Sequence, residues 1–196
     1  MRGDGRAACL ALLLCAWTAA ARADGGEGRY LPLDPARSVL GFELTTRFGQ
    51  KLEGRFVRFD GGVRVLEDGR HQVTLRMFAD SVEITGHPHY SQWARGRAFF
   101  DAGRWPQLTF VSQPYDPAML REGGEVTGDL TIRGIRHPYA LQVRPAPCAR
   151  PAIDCAVVST GAIQRSEFGM DNWQLAVDDQ VVFTISARLL PPQAQP

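Results

Sequence analysis

Apolar and polar residues alternate with a period of two along most of this chain. Leu40, Phe42 and Leu44 fall on one side of one stretch, and Val73, Leu75 and Met77 on one side of another. Leu108 with Phe110, and Val181 with Phe183 and Ile185, repeat the pattern, while Glu43, Thr74, Arg76, Thr109 and Thr184 take the opposite positions. Successive strand residues point to opposite faces, so each stretch reads as a strand with one apolar and one wet side. The spacing predicts strands over 30–33, 39–45, 52–59, 72–79, 107–112, 126–132, 139–144, 156–163 and 180–189. Gly61-Gly62 and Asp68-Gly69 read as turn pairs, and Arg133-Gly134 as a tight hairpin connection. Only 88–94 reads as a helix, with a turn near 101–105. A one-sided sheet must be antiparallel and must close on itself or on a second sheet. The expectation is an all-β chain: a single antiparallel β-barrel of about eight strands with one short helix.

The first residues lie outside that pattern. Arg2 and Arg6 precede the apolar run 7–21, and Ala21-Arg22-Ala23 is a small-residue cleavage signature. These mark residues 1–23 as a signal peptide, leaving 24–196 as one domain, and place the protein outside the cytoplasm. No later run is long enough to span a bilayer, so an integral membrane protein is not expected. Charge is nearly balanced, 22 basic against 21 acidic residues, with Lys51 the single lysine. Without a basic stripe, nucleic acid is not an expected partner. Cys148 and Cys155 share a Pro-rich loop. In an oxidising compartment they read as a disulfide pinning that loop, the alternatives being a reactive thiol pair or a metal pair.

Catalytic signatures are sparse. There is no G-x-S-x-G elbow around Ser112, Ser159 or Ser166, and no phosphate-cradling glycine loop. His87-Pro88-His89 is the one metal-like pair; it would need a third ligand, such as His71 or His137, and Pro88 favours a loop. A metal-dependent enzyme acting on lipids through His87 and His89 is therefore one alternative. An envelope stress or assembly factor working through protein contacts is another. The many aromatic and methionine side chains fit either a filled core or a ligand cavity, and periodicity does not separate the two.

An ordered series of motifs carries a resemblance. It runs from Tyr30-Leu-Pro-Leu-Asp34, Ser38-Val-Leu-Gly-Phe42 and Gly54-Arg-Phe56 through Ser81-Val-Glu-Ile-Thr-Gly86 and Ala98-Phe-Phe-Asp101 with Trp105-Pro106. It continues with Thr109-Phe-Val-Ser112, Gly128-Asp-Leu-Thr-Ile132, Gly134 and Pro138, and closes on Arg165-Ser-Glu-Phe-Gly-Met170. Taken in order, these resemble the YceI-like family of periplasmic polyisoprenoid-binding proteins. The resemblance implies a lipocalin-like barrel with an elongated apolar tunnel for a long isoprenoid chain, a polyprenyl phosphate or a quinone tail. It further implies a non-catalytic carrier or storage role in the periplasm, with no cofactor beyond the bound lipid.

Phe42, Leu44, Leu75, Met77, Phe110, Met170 and Trp173 are the residues expected to touch such a ligand. In place of a histidine that many family members carry, Thr45-Thr-Arg-Phe-Gly49 offers Arg47, a candidate for an anionic head group or else a solvated strand-end arginine. Arg165 reads as structural, satisfying carbonyls or a carboxylate where the chain bends. Phe99-Phe100 and the Trp93 helix are expected at the tunnel mouth or on a homodimer face.

Overall fold

The computed structural model describes residues 28–173 and 175–191; the signal peptide expected over 1–23 lies outside them. Eleven strands form a single antiparallel sheet: β1 Tyr30–Pro32, β2 Val39–Thr46, β3 Lys51–Phe56, β4 Phe59–Val65, β5 His71–Phe78, β6 Val82–Ile84, β7 Gln107–Ser112, β8 Gly124–Ile132, β9 Ile135–Val143, β10 Val157–Gln164 and β11 Val177–Ala187. Among the described residues two short α-helices interrupt them, α1 Pro88–Arg95 and α2 Met119–Glu122.

Eleven is more than the expected eight because three long strands bend. β1 and β2 are one run broken at the Asp34–Ser38 corner, where Asp34 accepts from the Ala36 N–H and pairs with Arg37 at 2.6 Å. β3 and β4 are one run broken at Val57-Arg58, and β5 and β6 one run broken by a 3-10 turn at Ala79–Ser81. Register confirms the joins: β2 pairs β3 while β1 pairs β4, and β4 pairs β5 while β3 pairs β6. Each following strand pairs the next, from β5 and β7 through β10 and β11. β11 then returns to β2, with Leu44, Phe42 and Leu40 opposite Val181, Phe183 and Ile185. A bridge between Leu33 and Leu189 extends this seam. Eight consecutive runs, each paired with its neighbour and the last with the first, make an up-and-down antiparallel barrel.

Gly61 and Gly62 are not a turn, contrary to the sequence expectation; they lie inside β4. A Cβ on Gly61 would stand 2.1 Å from the Thr74 carbonyl, and one on Gly62 would stand 2.4 Å from the Leu31 carbonyl. Glycine here marks close strand approach rather than chain reversal. Asp68-Gly69 does turn, with Asp68 accepting from the Arg70 N–H.

The barrel has two unlike ends. At the upper end lie the β2–β3 turn, α1, the β8–β9 turn and the β10–β11 connection. At the lower end lie the starts of β1 and β8, the β4–β5 turn and the 144–156 loop. Arg133 and Gly134 form the β8–β9 turn with φ of 53° and 74°, the doubly left-handed geometry of a tight hairpin. The Trp105 ring covers Gly134 so closely that a Cβ would lie 2.6 Å from it. Gly134→Ala is therefore expected to destabilise the protein by about 1–2 kcal/mol or more, from left-handed strain plus this clash. A urea denaturation midpoint no lower than that of the parent would contradict the assignment.

Candidate functional site

Among the described residues, two cavities of about 290 and 300 Å³ lie in the interior, where the family resemblance implies one continuous tunnel. They share no lining residue and lie end to end along the barrel. Between them is a plug of side chains that line neither: Leu40, Phe56, Met77, Leu108 and Leu130, all nearly inaccessible to solvent, together with Tyr139.

The upper cavity is assembled from the inward faces of β2, β10 and β11 and closed by α1. Phe42 forms its floor, its ring lying over Gly54, where a Cβ would come within 2.2 Å of the ring. Phe56, Phe100 and Phe183 surround that ring at centroid distances of 5.7, 6.3 and 6.1 Å, the tilted and edge geometries that aromatic quadrupoles favour. Leu44, Met170 and Trp173 stand on the wall, as do Phe99 and Phe100. The Phe99-Phe100 pair thus faces this space. At the mouth, Trp93 stacks on Trp173 with centroids 5.7 Å apart and planes inclined by 20°. Trp173 has φ of +64°, a conformation bulky side chains rarely adopt and that surrounding contacts must hold in place.

Arg165 is what holds it. Although 2% exposed, its guanidinium donates to the carbonyls of Asp178 at 3.0 Å, Asn172 at 2.6 Å and Val177 at 3.2 Å, and also to that of Met170. One fork therefore ties Met170 and Asn172 to the start of β11. Burial draws its pKa down, opposed by the Asp179 and Asp171 carboxylates. Asp179 in turn accepts from both the N–H and the hydroxyl of Ser166, at 2.9 and 2.5 Å. Arg47 stands on the β2–β3 turn with its side chain about half exposed, 3.4 Å from Asp178.

The lower cavity is lined by Leu75 and Phe110 from the candidate set, with Leu31, Val126, Leu141 and Ile185. The 144–156 loop covers it; Cys148 and Cys155 have Cα atoms 6.2 Å apart, a span a disulfide bridges. His71 and Tyr115 meet edge to face at its rim. Burial, then the nearby Arg29, lower the pKa of His71, and burial pushes the Tyr115 phenol up to about 12. Met77, also a candidate, lines neither cavity and belongs to the plug. Tyr139 crosses that plug between Gly161 and Phe110, its hydroxyl buried with no hydrogen-bond partner among the described residues, and burial raises its pKa. Neither the division of the interior nor the orphan hydroxyl was visible to periodicity, which assigns faces and not depth along a strand.

The metal-like pair does not assemble. His87 stacks on Tyr90 at 4.9 Å, and among the described residues no three His, Cys, Asp or Glu side chains gather as a ligand set. The Ser112 hydroxyl accepts from the Val73 N–H at 2.8 Å, within the sheet.

Comparison with known proteins adds to this geometry. Residues 31–189 match the family model described as the YceI-like domain. Among curated proteins, a UPF0312 protein of Pseudomonas fluorescens is 28% identical over 120 residues, covering 59% of this chain and 58% of that one. Protein YceI of Salmonella arizonae is 30% identical over 97 residues, covering 47% and 48%. The chain thus spans about half the length of the curated relatives it matches. Among solved structures, BcnA of Burkholderia cenocepacia superposes with a TM-score of 0.62 at 24% identity, over 79% of this chain and 98% of that one. A polyisoprenoid-binding domain from Saccharophagus degradans gives 0.59 at 17% identity, over 82% and 98%. Both likenesses establish the fold.

Two substitutions should act in opposite directions. Arg165→Met leaves four carbonyls without their donor and should cost about 3 kcal/mol or more, whereas Tyr139→Phe removes an unsatisfied hydroxyl and should be neutral or stabilising by about 1 kcal/mol. Denaturant titrations of both variants decide this, and a tolerated Arg165→Met would refute the anchoring role.

Proposed function

The chain belongs to the YceI-like family, and on that premise we propose that it is a periplasmic carrier or storage protein holding one long isoprenoid lipid, a polyprenyl phosphate or a quinone tail, without acting on it chemically. The observation that carries this reading is the wall of the upper cavity. Of its twenty lining residues only Thr46, Gln50, Tyr90 and Arg165 carry a hydroxyl, an amide or a charge, and the Arg165 donors are engaged by backbone carbonyls. An isoprenoid chain offers no polar handle, and such a wall removes it from water at about 25 cal/mol per Å² of apolar area.

Each cavity alone sits at the lower edge of the roughly 300–1,000 Å³ typical of ligand sites. A long chain therefore fills the upper cavity and reaches the lower one by displacing the plug, where Met77 is unbranched and repacks readily. The head group stays at the upper mouth, beside Arg47; an anionic head there competes with Asp178 for the guanidinium. A disulfide between Cys148 and Cys155 fixes the lower lid, in keeping with export directed by residues 1–23.

Protein purified from its native compartment should release about one isoprenoid lipid per chain on organic extraction, identified by mass spectrometry with its structure unaltered. Repeated recovery of folded but empty protein would sink this reading.

A further inference from the structure

Among the described residues, the most exposed apolar side chains gather around one opening. Phe48 and Leu175 are 93% and 94% exposed, while the other exposed large apolar residues lie between 38% and 55%. Trp93 and Trp173, at 54% and 53%, complete the group. Phe48, Trp93 and Trp173 all line the upper cavity. Thr46 pairs with Val177, and the Arg47 N–H donates to the Ala176 carbonyl at 3.0 Å. That pairing carries Phe48 and Leu175 to the same tip, opposite α1 with Trp93 across the mouth. Water is a poor neighbour for four such groups, and their concentration at an entrance marks a contact surface.

The two basic side chains at this tip are already paired. Arg47 lies 3.4 Å from Asp178, and just behind the turn Lys51 lies 2.8 Å from Glu43. A charged protein partner would find no unbalanced field to complement, whereas an electroneutral lipid surface needs none. Tryptophan is the side chain that settles at the headgroup level of a bilayer, and Phe and Leu are those that enter its acyl boundary.

We propose that this rim docks on the surface of a phospholipid bilayer. Phe48 and Leu175 insert as the leading tips, the stacked Trp93 and Trp173 lie at headgroup depth, and the upper cavity opens toward the lipid phase. The proposal rests on the lipid-carrier reading, since a bilayer is the phase from which an isoprenoid chain enters. Trp173 is held in a strained conformation against Trp93, so parting the two rings at the membrane opens the mouth without unfolding a strand.

The test is sedimentation of the purified protein with phosphatidylcholine vesicles, with doxyl-labelled chains present to quench tryptophan emission. The parent protein should sediment at low and at high salt alike and be quenched. Phe48→Ser combined with Leu175→Ser should weaken binding by about tenfold or more without lowering the melting temperature, and Val39→Ser, an exposed residue elsewhere, should change nothing. A parent protein that stays in the supernatant, binding abolished by salt, or an unaffected double variant would overturn docking. So would a solution dimer that the double variant dissolves in the absence of vesicle binding, which assigns the rim to a second copy. Lipid content measured on the same samples separates the two readings. Isoprenoid-loaded protein that ignores vesicles retains the carrier and loses the docking, and empty protein that still sediments does the reverse.

Discussion

The pairing of β11 with β2 is the contact on which the interior depends. A sheet with one apolar face has no stable open form in water, and every edge it leaves invites another chain. Here the edge is removed by returning the last strand to the first long run, so that Leu40, Phe42 and Leu44 meet Ile185, Phe183 and Val181 across a hydrogen-bonded seam. Both cavity walls cross this seam: Phe42 and Phe183 face the upper space, and Ile185 faces the lower. Slipping the register by one residue would turn every one of these side chains outward, which is why the closure and the cavities are one structural fact.

The upper end relies on a second device. The connection between β10 and β11 carries Met170 and Trp173 into the cavity wall, and the carbonyls of Met170 and Asn172, like those of Val177 and Asp178 at the start of β11, turn to a side-chain donor. Arg165 supplies the missing donors from inside the barrel, spreading one planar fork over four acceptors. Arginine suits this because its donors are preorganised in a plane, where a lysine would offer a single mobile point. The buried charge is tolerated through these bonds and the nearby Asp179 and Asp171 rather than through a directly paired carboxylate.

Much of this was legible in the sequence. Period-two alternation identified the inward faces of β2, β5, β7 and β11, Arg133-Gly134 announced its hairpin, and 88–94 its helix. The failures share a cause. Gly61-Gly62 has the composition of a turn, but only the neighbouring strands reveal that backbone proximity demands glycine there. β6 has three residues and α2 four, too few for a period to register. The candidate ligand residues were chosen by face, and face does not report height: Phe42, Leu44, Met170 and Trp173 reach the upper cavity, Leu75 and Phe110 the lower, and Met77 the plug between them. Height along a barrel is set by shear and strand bends, which arise from pairings distant in sequence.

The up-and-down path gives the molecule a polarity. Tyr30 and Leu190 both lie at the lower end, tied together where Leu190 donates its N–H to the Pro32 carbonyl, a full strand length from the aromatic mouth. An attachment made through either end of the domain, whether a linker, a fused module or a solid support, would hold the molecule by its base. The mouth would point away from the anchor, and the barrel would act as a rigid spacer setting the distance between the point of attachment and the opening.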